Sequence, residues 1–375
     1  MSKRERLNLG AALMPRISTC VLGALALNAC SAQEPAVPPD WKTDCVGRMQ
    51  LSLPGPADVA ANSFKMLAAE YKIGTQQPRF EFAGGQQAGY SSQHYMGYVF
   101  VSQPLTPEQR QVLLQAGKDE QLRAQAYATK KKANEKSKPL VFERLDVAPK
   151  MGYANRVNGS MDITVAIDQI IVRAVSNDRQ SDDQGVLNDF ALKSSGMALR
   201  PFGELPKAPG VCFPYAFIKD DEQRVRSIGI TYRLQDHPDV TIWLEDSSAS
   251  APMPEQDPDK FTADYRTNFF WTQRYQDRTT LKLLSRKTTD NLMDGRKGVA
   301  TVVELVRKDG ITTDYGYLAV VRGDPEAKQD TPDLMLYVIR DAKNATDKGK
   351  QPMDKDELIK MAQTIAASVR HRPTQ

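Results

Sequence analysis

The first thirty residues constrain this chain most, because they decide the compartment in which it folds. Three basic residues between positions 3 and 6 precede a short apolar run, Val21–Leu27, which leads into the tetrapeptide Leu27-Asn28-Ala29-Cys30. A basic start, a short apolar stretch and small residues at a cut site are the pattern of an export signal. The run is shorter than the ~20 apolar residues that a membrane-spanning helix needs. Residues 1–29 are therefore predicted to be a signal peptide, and the alternative is an uncleaved N-terminal tail.

The end of this segment resembles the lipobox of bacterial lipoproteins, in which the cysteine becomes the lipid-bearing N-terminus. Leu27 and Ala29 fit that pattern, whereas Asn28 is not the small residue usual at its position. The resemblance implies that Cys30 is lipidated and that the mature protein lies in the periplasm, attached to a membrane. Ser31 rather than Asp follows the cysteine, which indicates the outer membrane rather than the inner one. Residues 30–40, rich in proline, are predicted to be a tether that ends where Trp41 begins to pack.

Cysteine usage agrees with export. The chain has four cysteines. If Cys20 leaves with the signal and Cys30 carries lipid, only Cys45 and Cys212 remain. Two cysteines in an oxidising compartment are typical of one disulfide. The alternative is a pair of buried free thiols.

The charge balance argues against a nucleic-acid partner. The full chain has 50 Lys+Arg against 46 Asp+Glu, a net charge of +4. The predicted signal contributes +3 of this, so the mature chain is close to +1. Nucleic-acid binding needs a clustered basic surface. The one basic cluster, Lys130–Lys138, is interrupted by other residues and is explained by a solvated helix end.

The pattern of apolar residues predicts an α+β protein of two domains, each a mainly antiparallel sheet with flanking helices. A mature chain of ~345 residues exceeds what one core comfortably supports. A run of prolines and glycines over 199–210 marks the boundary between domains at 41–205 and 206–375. Strands are predicted at 46–53, 95–102, 161–175, 224–234, 240–245, 298–308, 314–322 and 334–340, and helices over 57–71, 107–136 and 354–369. Residues 269–284 fit either element.

No catalytic, metal or cofactor motif is found. The sequence lacks an HExxH pair, a Gly-x-Ser-x-Gly elbow and a Walker A loop. Carboxylates cluster at positions 178–183 and 255–259. Such groups could serve hydrolysis or calcium binding, but the second cluster lacks the ligand spacing and turn glycine of a calcium loop. Solvated loops explain both clusters, and an exported carboxylate-dependent hydrolase stays open as an alternative.

Three short segments carry a family resemblance. Cys45-Val46-Gly47-Arg48 leads into Met49–Pro54, Gly210-Val211-Cys212 follows in the second half, and the end of the chain combines Pro332–Leu336 with Val369–Pro373. In this order and spacing they resemble the immunity lipoproteins cognate to class-four phospholipase effectors of the bacterial type VI secretion system. Pro54-Gly55-Pro56 and the lysine-rich helix depart from a typical member.

The resemblance implies a two-domain periplasmic protein without enzymatic activity that binds and blocks a phospholipase effector. Two polar, turn-rich loops, 245–260 and 176–185, are predicted to contact this partner, because loops on a rigid scaffold commonly carry recognition. The residues predicted to do so are Glu245, Asp246, Glu255, Asp257, Asp259, Asp182 and Asp183. An envelope scaffold lipoprotein without enzymatic activity is the other open reading.

Overall fold

The computed structural model describes residues 37–73, 80–88, 92–95, 97–132, 142–145, 152–157, 160–176, 195–249, 263–275, 279–310, 312–327 and 330–374. These residues belong to one compact unit, Pro35–Gln375. The predicted signal peptide and Cys30 lie outside the described residues. Trp41 is the first residue to pack against the main core, as predicted.

Strands dominate the described chain and helices flank them. The strands are β1 (Lys42–Val46), β2 (Met49–Leu53), β3 (Ala57–Val59), β4 (Ser92–Tyr95), β5 (Tyr98–Val101), β6 (Phe142–Leu145), β7 (Gly152–Val157), β8 (Ser160–Ile167), β9 (Ile170–Ser176), β10 (Met197–Leu199), β11 (Gly210–Phe213), β12 (Ala216–Lys219), β13 (Arg226–Leu234), β14 (Val240–Ser247), β15 (Thr279–Met293), β16 (Arg296–Arg307), β17 (Thr313–Val321), β18 (Asp333–Arg340) and β19 (Arg370–His371). The helices are α1 (Phe64–Ile73), α2 (Pro107–Lys132), α3 (Ala263–Tyr275), α4 (Ala342–Thr346) and α5 (Lys355–Ser368).

One large sheet organises the molecule. Its strands follow the order β15-β16-β17-β18-β14-β13-β4-β5-β9-β8-β7-β6, and β3 pairs with the far end of β13. The strand pairs of this sheet are antiparallel, which confirms the predicted α+β class. The order changes from the second half of the chain to the first at β13, where Arg226–Gly229 pair with β4. The division into domains at residues 205 and 206 stays a prediction.

Two small sheets complete the strand pairing. β1, β2 and the C-terminal strand β19 form one, and β10, β12 and β11 form the other. The main core lies between these small sheets and the large one, and its members come from all three. The first and last strands of the described chain therefore pack on one core.

The helices cover the sheets through apolar faces. α5 begins at the cap residue Asp354, whose side chain accepts hydrogen bonds from the amides of Asp356 and Glu357, and it buries Leu358, Met361 and Ile365 in the main core. α3 packs through Phe270 and Trp271 on the other face of the large sheet. α1 and α2 cover a third cluster over β5 and β9. Among the described residues, every helix is too short or too polar to span a membrane.

The structure splits two of the predicted strands into hairpins. Residues 46–53 were predicted as one strand, but Gly47 and Arg48 turn the chain between β1 and β2. Residues 161–175 were likewise predicted as one strand, but Asp168 adopts a φ of 49° between β8 and β9. Apolar residues continue on both sides of each turn, so periodicity alone does not reveal it. The ambiguous stretch 269–284 contains the end of α3 and the start of β15.

Candidate functional site

The three sequence segments that carry the family resemblance meet in space at one buried junction. Cys45 of β1 and Cys212 of β11 form a disulfide with an S–S distance of 2.12 Å, which confirms the predicted pairing. Both cysteines are fully buried. Beside them, the Gly47 amide donates to the Cys212 carbonyl at 2.9 Å, and the Cys212 amide donates to the Gly47 carbonyl at 2.7 Å. Backbone and disulfide thus fasten the first hairpin to β11.

Gly47 and Arg48 turn the chain against a buried carboxylate. Gly47 has a φ of +56°, and a Cβ added there would lie 2.9 Å from Cγ of Asp246. The backbone amide of Arg48 donates to Oδ2 of Asp246 at 2.7 Å, and Nε of Arg226 donates to the same oxygen at 2.7 Å. Only glycine accommodates both the backbone conformation and the carboxylate.

The side chain of Arg48 reaches a second buried carboxylate. Its Nη2 lies 3.0 Å from Oδ2 of Asp220, and the hydroxyl of Tyr95 donates to the same oxygen at 2.7 Å. Burial raises the pKa of Tyr95, and the neighbouring charge of Asp220 raises it further. Tyr95 is therefore a protonated hydrogen-bond donor, not an acid–base group.

A third buried carboxylate, Asp44, organises the other side of β1. The Arg200 guanidinium donates to Oδ1, and the hydroxyl of Tyr232 donates to Oδ2 at 2.8 Å. Burial lowers the pKa of Arg200, but the charges of Asp44, Tyr232 and Glu204 and the hydrogen bond to Asp44 together outweigh burial, so the pKa is raised. Burial and Asp44 together raise the pKa of Tyr232. Arg200 therefore stays charged and Tyr232 stays neutral.

The C-terminal segment closes the junction. The Arg372 amide donates to the Arg48 carbonyl at 2.9 Å. The Arg372 guanidinium donates to the carbonyls of Ala208 and Gly210 at 2.9 Å each and lies 5.3 Å from the ring centre of Phe217. One arginine from the end of the chain thus holds the segment that leads into β11.

The junction holds the fold together and does not present a reactive centre. Each of its carboxylates is fully or almost fully buried and accepts hydrogen bonds from an arginine side chain. Removal of one partner from such an ion pair leaves an uncompensated buried charge. The intact ion pair therefore favours the one arrangement of the chain that brings both partners together. Among the described residues, no group of three His, Cys, Asp or Glu side chains is arranged to hold a metal ion.

The structure corrects the placement of two residues predicted to contact a partner. Glu245 and Asp246 lie in β14, not in a loop, because pairing with β13 and β18 continues to Ser247. Asp246 is fully buried and belongs to the junction, so its carboxylate has no surface to offer a partner. Glu245 is half-buried and accepts a hydrogen bond from the Ser227 hydroxyl at 2.7 Å, and burial raises its pKa. The other predicted contacts, Glu255, Asp257, Asp259, Asp182 and Asp183, lie outside the described residues.

Sequence analysis missed the exposed apolar surface of α3 and β15. Tyr265 and Phe269 stack on the outer side of α3 with ring centres 5.9 Å apart, and Phe269 is 51% exposed. Leu283 and Leu284 are exposed on β15. The signal lay in the ambiguous stretch 269–284, where apolar residues continue beyond what a buried face requires. Large exposed apolar side chains that lie close together are typical of interaction surfaces.

Comparison with known proteins identifies relatives of this fold. Residues 204–374 match the family model of the Tle cognate immunity protein 4 C-terminal domain. This match confirms the resemblance that the sequence segments indicate. No curated protein matches the chain significantly.

Solved structures extend the likeness to most of the chain. The apo immunity protein TplEi of the type VI secretion system from Pseudomonas aeruginosa is 17% identical, with a TM-score of 0.53 over 89% of this chain and 98% of that chain. TplEi complexed with "L" peptide is 16% identical, with a TM-score of 0.55 over 90% and 99%. A chain of the Tle4–Tli4 complex is 16% identical, with a TM-score of 0.50 over 90% and 99%. At these identities the likeness concerns the fold.

Proposed function

We propose, from the match of residues 204–374 to the C-terminal domain of Tle cognate immunity protein 4, that this chain is an immunity protein. It binds a phospholipase effector of the type VI secretion system and inhibits it. The protein has no catalytic activity of its own and acts by binding to the effector. The family match is the observation that carries this proposal.

The shared fold supports the proposal over the part of the chain that the family model does not cover. A chain of the Tle4–Tli4 complex aligns with 90% of this chain, so the N-terminal strands and helices have counterparts there. The disulfide and the buried ion pair between Arg48 and Asp220 tie these strands to the matched region. An inhibitor benefits from this rigidity, because a surface that is ordered before binding loses less conformational entropy on association.

Protection against a toxin demands slow dissociation. We expect a dissociation constant of nanomolar or below, equivalent to about −12 kcal/mol. Such complexes commonly bury about 1,600 Å² in total. We propose that the effector is contacted by both the first and the second half of the chain, and that the contact blocks entry of the phospholipid substrate.

A growth experiment tests the proposed function. Under this proposal we expect a phospholipase gene beside this one; its product, the cognate phospholipase, is directed to the periplasm of a sensitive host, with or without this protein. Full-length protein is expected to restore growth, and a form without residues 1–29 is the matched control, since it stays in the cytoplasm. Continued killing in the presence of exported, folded protein would overturn the proposal. No killing by the phospholipase alone would show that it is not a toxin requiring immunity.

We also propose that the protein is a periplasmic lipoprotein attached at Cys30, in the outer membrane rather than the inner one. The short apolar run that ends at Leu27-Asn28-Ala29-Cys30 supports this, as does the disulfide, which an oxidising compartment favours. We predict that wild type fractionates with outer membranes and that its mature N-terminus carries the mass of a lipid. Cys30→Ala is expected to leave the membrane fraction. An unmodified Met1, or a wild type free of membranes, would contradict the prediction.

A further inference from the structure

The large sheet ends at a long open edge. β15 is its terminal strand, and among the described residues β16 is the only strand that pairs with it. The pairing runs from Thr279 opposite Arg307 to Met293 opposite Arg296, with shifts of register between Leu283 and Ser285 and between Thr289 and Met293. The first shift is the one that concerns the middle of the edge. That shift leaves Leu284 without an opposite residue on β16. The outer edge of β15 therefore carries backbone N–H and C=O groups that could pair with a further strand.

The middle of this edge is exposed and cationic. Each residue from Lys282 to Thr288 is exposed, and Leu283 and Leu284 are 51% and 36% exposed. Residues 279–289 contain Lys282, Arg286 and Lys287 and no acidic residue. Neither lysine forms an ion pair within the described part of the chain, and Glu304 of β16 lies opposite Lys282 in the strand register. Positive charge and apolar surface thus lie together on the outer edge of β15, which no other described strand covers.

We propose that the effector lays an extended, acidic segment along β15 and so adds a strand to the large sheet. The inference rests on the proposed function and names the surface through which the second half of the chain contacts the effector. Main-chain hydrogen bonds give a strand-addition interface its affinity, and side chains select the partner. Carboxylates of the effector segment lie beside Lys282 and Lys287 and compensate their charge. Apolar side chains of the same segment, placed between these carboxylates, cover Leu283 and Leu284.

The same residues oppose pairing with a second copy of this chain. In an antiparallel arrangement centred between Leu284 and Ser285, Lys282 of one copy would lie opposite Lys287 of the other. Like charges that face each other across two strands are destabilising. Lysines on edge strands commonly prevent self-association in this way. In this register the edge disfavours a second copy of the chain and favours a strand of opposite charge.

Charge reversal tests the proposed selection. We compare Lys282→Glu/Lys287→Glu with a control of identical charge change at two other exposed lysines, Lys118→Glu/Lys348→Glu. Binding of an inactive form of the cognate phospholipase is measured by calorimetry at low and high salt. At low salt the β15 variant is expected to bind roughly tenfold or more weakly than wild type. At high salt this difference in affinity is expected to shrink, while the control binds like wild type at both salt concentrations. Circular dichroism verifies that both variants remain folded.

Hydrogen exchange tests whether the backbone takes part. Amides of Lys282–Thr288 in the wild type are expected to exchange more slowly when the phospholipase is bound, because a new strand engages the outer edge of β15. Unchanged exchange there, or equal affinity of the β15 variant and its control, would overturn strand addition. The proposed function stands in that case if the wild type still inhibits the phospholipase. Failure of the wild type to bind would refute both. Slow exchange in the free protein together with a dimeric mass would assign the edge to a second copy and also refute the proposal.

Discussion

Single residues at the junction show why the segment Cys45–Arg48 has its composition. Cys45 forms the disulfide, Gly47 allows a left-handed turn beside Asp246, and Arg48 uses its amide for Asp246 and its side chain for Asp220. Each of these roles depends on residues distant in sequence. The composition of this short motif is therefore explained by packing against residues distant in sequence, not by chemistry at a reactive site.

Gly47→Ala is predicted to destabilise the protein by roughly 3 kcal/mol, through left-handed strain and a clash with a buried carboxylate. Gly310→Ala is the matched control, since Gly310 has a φ of +69° but no atom within 4 Å of an added Cβ. The control is expected to cost only about 1 kcal/mol. Urea unfolding of both variants measures the difference. Equal unfolding free energies would mean that Asp246 does not constrain the turn.

Elements differ in how far the sequence predicts them. The cap at Asp354 and the spacing of Leu358, Met361 and Ile365 predict α5 from local information, and the structure agrees within a residue or two. The hairpin at Gly47 was missed because its turn depends on Asp246, about two hundred residues away in sequence. β15 was missed because its exposed leucines break the alternation expected of a half-buried strand. Local capping is visible in a sequence, whereas a turn formed around a distant carboxylate is not.

Asp354 gives α5 a pH-dependent start. Its carboxylate accepts hydrogen bonds from the amides of Asp356 at 2.7 Å and Glu357 at 3.3 Å, and these bonds hold its pKa below the ordinary value of 3.8. A lowered pKa in the folded state means that stability is gained above the unfolded pKa and lost as pH falls through the folded pKa. Asp354→Asn keeps an acceptor without the charge. Wild type is predicted to be more stable than this variant at pH 7, and the gap should close towards pH 3. A constant difference in urea midpoint across this range would contradict the prediction.

At the scale of the whole molecule, contacts between distant parts of the chain hold the fold together. The disulfide joins residues 167 positions apart, the C-terminal strand β19 pairs with β2, and Arg372 reaches back to carbonyls near residue 208. The large sheet likewise joins β4 to β13. The sequence predicted the disulfide by counting cysteines, but neither sheet order nor the burial of Asp246 could be read from local pattern. Loss of the disulfide should therefore lower the stability of the whole fold.

Reduction of the disulfide is predicted to lower the free energy of unfolding by about 4–5 kcal/mol, because the unfolded chain gains the entropy of a long open loop. The Cys45→Ala/Cys212→Ala variant is expected to behave like the reduced wild type, since the hydrogen bonds between Gly47 and Cys212 come from the backbone. Denaturant unfolding with and without reductant measures the change. Identical midpoints for the oxidised and reduced forms would contradict a clamping role for this bond.

Inhibition of the enzyme by the purified protein is the most direct test of the central claim. The cognate phospholipase is assayed on phospholipid vesicles while the mature protein is added in increasing amounts. The Lys118→Glu/Lys348→Glu variant is assayed in parallel and is expected to inhibit like wild type. Hydrolysis is predicted to fall in proportion to the inhibitor added and to cease near equimolar concentration, as expected of nanomolar binding. Hydrolysis that continues unchanged in the presence of excess folded protein would contradict the account.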